Sequence, residues 1–180
     1  MNWKAMTRPV IAIAAAAVIL LGASAALRST AEANAQADQA ALMALLLPGS
    51  GSFTEEEYAG EDANIQAVYK ADNGYVVQTC TAGYVDDVVL LVGVDNDGKV
   101  TGLTVQDFSE TYGLGAEARS DWEFLAQFLG TSGGAAVGED IDAITGATVT
   151  SKAVTKAVNS AAAFVTGADV SSSATEWGDW

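Results

Sequence analysis

Histidine is absent from this chain of 180 residues, cysteine occurs once, proline twice, and lysine and arginine together number only eight. Each scarcity removes a class of chemistry. Without histidine there is no His-based catalytic triad and no imidazole metal site. A single cysteine, Cys80, excludes an intrachain disulfide and a thiolate cluster. Cys80 falls in the apparent strand Tyr75–Thr81 and reads as a small core residue, with a reactive or intermolecular thiol as the alternative. The eight bases face 23 acids, for a formal charge of −15. Three of them, Lys4, Arg8 and Arg28, stand in the first 28 residues, where there is no acid; the remainder sets five bases against 23 acids, a net of −18. Such a surface repels nucleic acid, whose binding depends on phosphate neutralisation, so no nucleic-acid partner is expected. It attracts cations or a basic partner, although the commonest consequence of an acidic surface is solubility.

Half of the residues are hydrophobic, enough for one domain with a substantial core. Pro9–Leu27 is free of charge, and its 19 residues at about 1.5 Å each reach roughly 28 Å, close to a bilayer core. It reads as a membrane anchor with Lys4 and Arg8 on the cytoplasmic side, which places the acidic body outside the cytoplasm. A cleaved signal peptide is the competing reading, because Ala23-Ser24-Ala25 and Ala33-Asn34-Ala35 fit a small-residue cleavage pattern; the length of the apolar run favours the anchor.

Beyond the anchor, Thr30–Leu47 reads as an amphipathic helical stalk that Pro48-Gly49-Ser50-Gly51 ends. From Ile65 the pattern turns to strands: IQAVYKA, GYVVQTCTA and VVLLVGVD are rich in β-branched and aromatic residues. Asp95-Asn96-Asp97-Gly98 is a hairpin signal joining Val88–Val94 to Val100–Phe108, so the sheet is antiparallel. A glycine-bearing loop, SETYGLGAEA, follows over Ser109–Ala118. Ser120–Phe128 then reads as a short helix, and from Ser151 onward a final helix carries Val154, Val158, Ala161 and Val165 toward the sheet. Lys152 and Lys156 lie one turn apart on another face of that helix. The expected division is 1–28 for the cytoplasmic N-terminus and anchor, 29–62 for stalk and linker, 63–168 for an α+β domain, and 169–180 for an acidic tail. In that domain helices flank an antiparallel sheet.

The stretch Asp142–Ser151, DAITGATVTS, concentrates the functional signal. Gly146 and Ala147 leave little bulk around Thr148, and the helix behind them offers amides with no backbone partner. Those amides and the helix dipole favour an anion such as a phosphate on or near Thr148. Thr and Ser before a helix also serve as ordinary caps, and spacing does not separate the two.

Two stretches together carry a resemblance. DAITGATVTSKAV resembles the flavinylation sequence of FMN-binding domains, in which a threonine hydroxyl is joined to FMN by a phosphoester bond, and SETYGLG resembles the Ser-Glu-Thr-x-Gly-Leu-Gly loop of the same domains. With the anchor and the sheet, the chain is similar to the G-subunit family of Rnf-type ion-translocating ferredoxin:NAD oxidoreductases.

The resemblance implies covalent FMN on Thr148, with Thr150 the competing hydroxyl. Asp142, Thr145, Gly146 and Ala147 would be recognised by a flavin transferase, and Thr150 and Ser151 would bond the phosphate. Glu110, Thr111, Gly113, Leu114 and Gly115 would form a second wall by the flavin. The family more often has proline where Tyr112 stands, which alters the loop. It further implies an electron carrier with no catalytic acid, base or metal of its own, set among the other subunits of a membrane complex that moves Na+ or H+. The C subunit of the Na+-translocating NADH:quinone oxidoreductase and a free-standing extracellular electron-transfer flavoprotein share the motif, and a flavin-free anchored binding module is the reading from another class.

Overall fold

The computed structural model describes residues 33–108 and 120–167, together with residues 31 and 118. The expected anchor, the SETYGLG loop and the C-terminal tail therefore lie outside the described residues. Among the described residues no helix is long and apolar enough to cross a membrane. Helix α1 covers 33–46. Five strands follow: β1 (Thr54–Glu56), β2 (Ile65–Ala71), β3 (Gly74–Ala82), β4 (Asp87–Asp95) and β5 (Val100–Phe108). Helices α2 (Trp122–Ala126) and α3 (Thr148–Thr166) complete the order. The sheet runs β1-β2-β3-β4-β5, every pair antiparallel, as the hairpin signals imply.

Compact contacts divide the chain at residue 41, and Leu42 onward forms the larger unit. Residues 42–62, within the span expected as stalk and linker, fall in the unit that holds the sheet. β1 is an addition to the expected elements: Thr-Glu-Glu lacks apolar alternation, but it pairs with β2, and Glu56 meets Lys70 at 3.3 Å.

Alternation in β3 and β4 gives the sheet two apolar faces. On one, Val68, Val77, Leu90, Val92 and Val94 pack with Val154, Val158 and Ala161 of α3. The small side chains of Ala153, Ala157 and Ala161 let the helix lie close to the strands, and the Thr81 hydroxyl donates to the carbonyl of Ala153 at 2.9 Å. On the other face Val76 and Leu91 are covered by Met43, Leu46 and Leu47. There Gly93 and Gly102 stand directly opposite each other, and a Cβ on either would press on the Leu46 carbonyl oxygen. That oxygen accepts from the Thr101 hydroxyl at 2.6 Å. The two strand glycines seat backbone where side chains would exclude it.

Register fixes the direction of α3. Thr81 at the end of β3 touches its first turns, while Tyr75 at the start of β3 meets Phe164 edge-on at 5.3 Å near its last turn. One end of the sheet therefore carries the β2–β3 and β4–β5 turns beside the end of α3. The other carries the β3–β4 turn, the end of β5 and the start of α3.

Candidate functional site

The segment before α3 is held by short, specific bonds. Ala147 N–H donates to the Ile144 carbonyl at 2.9 Å, closing a turn in which Gly146 sits at φ 79°, a conformation glycine adopts without steric cost. The Ser151 hydroxyl accepts from Ile144 N–H at 3.1 Å and donates to the Ala147 carbonyl at 2.9 Å. Upstream, Gln127 braces the backbone of Asp142 twice, accepting from its N–H at 2.7 Å and donating to its carbonyl at 3.3 Å.

α3 begins at Thr148, three residues before the start expected from its apolar spacing, because the chain turns into helix directly after Ala147. Its N-cap, Ala147, supplies no side-chain hydrogen bond, and its first turn holds no acid. A 19-residue helix thus presents its N-terminal amides and positive dipole end without a built-in counter-charge. Thr148 in this first turn is exposed. Thr150 is 1% exposed and Ser151 fully buried. The three hydroxyls are thereby sorted: one faces solvent at the helix end, and two are inside. Thr145, Gly146 and Asp142 are exposed along the approach, and Ala147 is buried beneath it.

Beside this turn lies a cleft of about 570 Å³ lined by Asp142, Ala143, Ile144 and Thr145 on one side and by Asp121, Glu123, Phe124 and Gln127 on the other. α2 is shorter than the helix expected over Ser120–Phe128, and its start is fixed by Asp121, whose carboxylate accepts from Phe124 N–H at 3.0 Å. Phe124 anchors α2 in the core, edge-on to Phe128 at 5.3 Å. Glu110, Thr111, Gly113, Leu114 and Gly115 lie outside the described residues. The strand leading to them ends at Phe108, opposite Val88 at the α3 N-terminal end of the sheet, and the helix after them lines the cleft.

Sequence patterns did not single out Gln127, since a glutamine at the end of a short helix carries no signal until its partner is placed. Cys80 is half-buried rather than a full core residue. Burial raises its thiol pKa, and the charges of Asp87 and Asp86 raise it further, so the thiol stays protonated and poorly nucleophilic. Among the described residues no cluster of cysteine and acidic side chains could hold a metal ion.

The family model described as the FMN-binding domain matches residues 83–163, a span holding the cleft, the turn and most of α3. The chain is 42% identical over 97 residues to the G subunit of the Na+-translocating ferredoxin:NAD+ oxidoreductase complex of Acetobacterium woodii, covering 48% of this chain and 46% of that one. It is also 42% identical over 99 residues to the G subunit of the proton-translocating ferredoxin:NAD+ oxidoreductase complex of Clostridium ljungdahlii, covering 51% and 53%. The G subunit of the ion-translocating oxidoreductase complex of Methanosarcina acetivorans matches at 34% over 130 residues, 66% of each chain. The chain belongs to the family of these G subunits. Its FMN-binding domain is the antiparallel sheet with flanking helices described above, and the chain spans about half the length of the first two relatives. Those two relatives are named for different ions, Na+ and protons, at equal identity to this chain.

Proposed function

We propose that this chain is the flavin-carrying electron-transfer subunit of a membrane complex that couples ferredoxin:NAD electron transfer to Na+ or H+ movement, with FMN joined through its phosphate to Thr148. The observation that carries the reading is the exposed hydroxyl of Thr148 on an uncapped helix start, inside the stretch matched by the FMN-binding domain.

The residues fit a phosphate there. A phosphodiester on Thr148 carries a negative charge, and the α3 amides and dipole supply the opposite partial charge at the same point. Thr150 and Ser151 shape the turn from within, and Thr145, Gly146 and Ala147 give it the low bulk that a transferase needs to reach Thr148. Asp142, exposed and with its backbone held by Gln127, is the recognition residue on the approach. The cleft along Phe124, Ile144 and Thr145 offers a partly apolar wall for the ring system, and the loop motif alone assigns Glu110, Thr111, Gly113, Leu114 and Gly115 to the same flavin. Bound FMN supplies the electron chemistry; the chain holds it, shields it and sets its surroundings.

A covalent bond suits an extracytoplasmic domain on a single anchor over Pro9–Leu27, because a dissociable cofactor would be lost by dilution and a tethered one is not. The test is the intact mass of the full chain produced with and without a flavin transferase. One added FMN with the transferase and none without it supports the reading; an unmodified chain from membranes active in ferredoxin:NAD electron transfer overturns it.

A further inference from the structure

The cleft beside the start of α3 has two walls, and one side chain joins them. Gln127, at the end of α2, accepts from the Asp142 N–H at 2.7 Å through its amide oxygen and donates to the Asp142 carbonyl at 3.3 Å through its amide nitrogen. A glutamine amide carries an acceptor and donors on one planar group, so it can pair with a backbone residue much as a neighbouring strand would. Both bonds go to the backbone, and Asp142 itself stays exposed.

Folding does not ask for this pair of bonds. The buried rings of Phe124 and Phe128 seat α2, and the buried side chains of Ile141 and Ile144 seat the segment opposite. Each wall thus has its own apolar anchor in the core. Polar bonds at an exposed site exchange with water and add little net stability. What they fix is direction. Gln127 projects from between two anchored rings, and its amide sets the course of the backbone at Asp142 as it runs toward Thr145, Gly146 and Thr148.

We propose that Gln127 is a positioning residue for flavin attachment, holding Asp142 and the approach to Thr148 in the arrangement that the transferase binds. The clamp rests on the flavin reading above, in which an enzyme must recognise Asp142. The step it serves balances with an activated donor, a flavin dinucleotide. The Thr148 oxygen bonds to the FMN phosphorus, the pyrophosphate bond breaks, the nucleoside monophosphate leaves and the hydroxyl proton passes to solvent. Gln127 acts through Asp142 and not on the reacting atoms. Geometry set in advance lowers the ordering cost of binding, so losing the clamp weakens capture of the chain and leaves the chemical step alone.

The test follows the gain of FMN mass by the full chain, supplied at increasing concentration to a flavin transferase with flavin dinucleotide. Gln127→Ala should raise the KM for the chain about tenfold and keep kcat within about twofold of the parent. Gln127→Met, which keeps the side-chain length and removes both bonds, should do the same. Asp95→Ala, which loses two turn bonds at the far end of the sheet, should leave both constants unchanged. Because the clamp works through Asp142, adding Gln127→Ala to Asp142→Ala should raise KM no further. A parent-like KM in Gln127→Ala or Gln127→Met, an equal rise in Asp95→Ala, or a further rise of about tenfold on top of Asp142→Ala overturns the clamp and leaves the flavin reading standing. A parent chain that takes up no FMN overturns both.

Discussion

At the end of the sheet where α3 finishes, side chains serve the backbone. Asp95 accepts from the N–H groups of Asp97 and Lys99 at 3.0 and 2.8 Å, Asn73 donates to the Pro48 carbonyl at 2.9 Å, and Gly98 turns at φ 79°. At the end where α3 begins, the helix has no side-chain cap, the β3–β4 turn exposes Tyr84 and Val85, and Thr148 faces solvent. The difference separates two tasks on one scaffold. The first end closes hairpins and seats the chain around Leu46, and its polar groups find partners inside the protein. The second turns Thr148 and the first-turn amides of α3 outward, where a ligand can meet them.

Substitutions that break the structural end should cost stability and spare flavin attachment. The largest effect is expected of Gly93→Ala, whose added Cβ presses on the Leu46 carbonyl oxygen and unseats Thr101 as well. A loss of about 2 kcal/mol in urea unfolding, with normal FMN mass, is the expected result. Ser151→Ala sharpens the boundary between the two ends, because it removes two bonds that hold the turn. It should cost about 1–2 kcal/mol and also slow flavin attachment in a timed assay with the transferase. Asp95→Ala removes the acceptor of two turn amides and should lower stability by about 1 kcal/mol without touching attachment.

The smallest effect concerns Cys80, whose pKa is raised by burial and by Asp87 and Asp86. In this acid the folded state holds its proton longer than the unfolded chain does. Its stabilising contribution is therefore complete below the unfolded thiol pKa and is lost as pH rises through the folded one. The measurable consequence is alkylation at pH 8 slower than that of an unfolded control, with the rate climbing as the solution becomes more alkaline.

How much of this was legible depended on whether a residue's partner lay nearby in sequence. The β4–β5 hairpin was readable because Asp95, Asn96, Asp97 and Gly98 carry their own turn chemistry. The strands were readable from runs of Val, Leu and Tyr. β1 was not, because Thr54–Glu56 becomes a strand only through pairing with Val68–Lys70. Nor could Gly93 and Gly102 be understood before Leu46 was placed against them, since glycine in a strand pattern by itself signals only weakness. At the site, DAITGATVTS marks the turn and the helix, with Thr148 the favoured hydroxyl by resemblance and Thr150 its competitor. Helix geometry separates them, placing one at the open end and the other against the core. Ser151, a phosphate contact by the resemblance, has its hydroxyl bonded to Ile144 N–H and the Ala147 carbonyl. β1 and the strand glycines depend on partners distant in sequence, whereas Thr148, Thr150 and Ser151 are sorted by how the turn and the helix close locally.

The comparison of the two ends rests on the exposed Thr148 hydroxyl, and peptide mapping of two variants produced with a flavin transferase tests it most directly. Thr148→Ala should carry no FMN on the peptide spanning the α3 start, while Thr150→Val, which keeps the buried volume and removes the hydroxyl, should carry one FMN on Thr148. FMN retained in Thr148→Ala and lost in Thr150→Val would contradict the account.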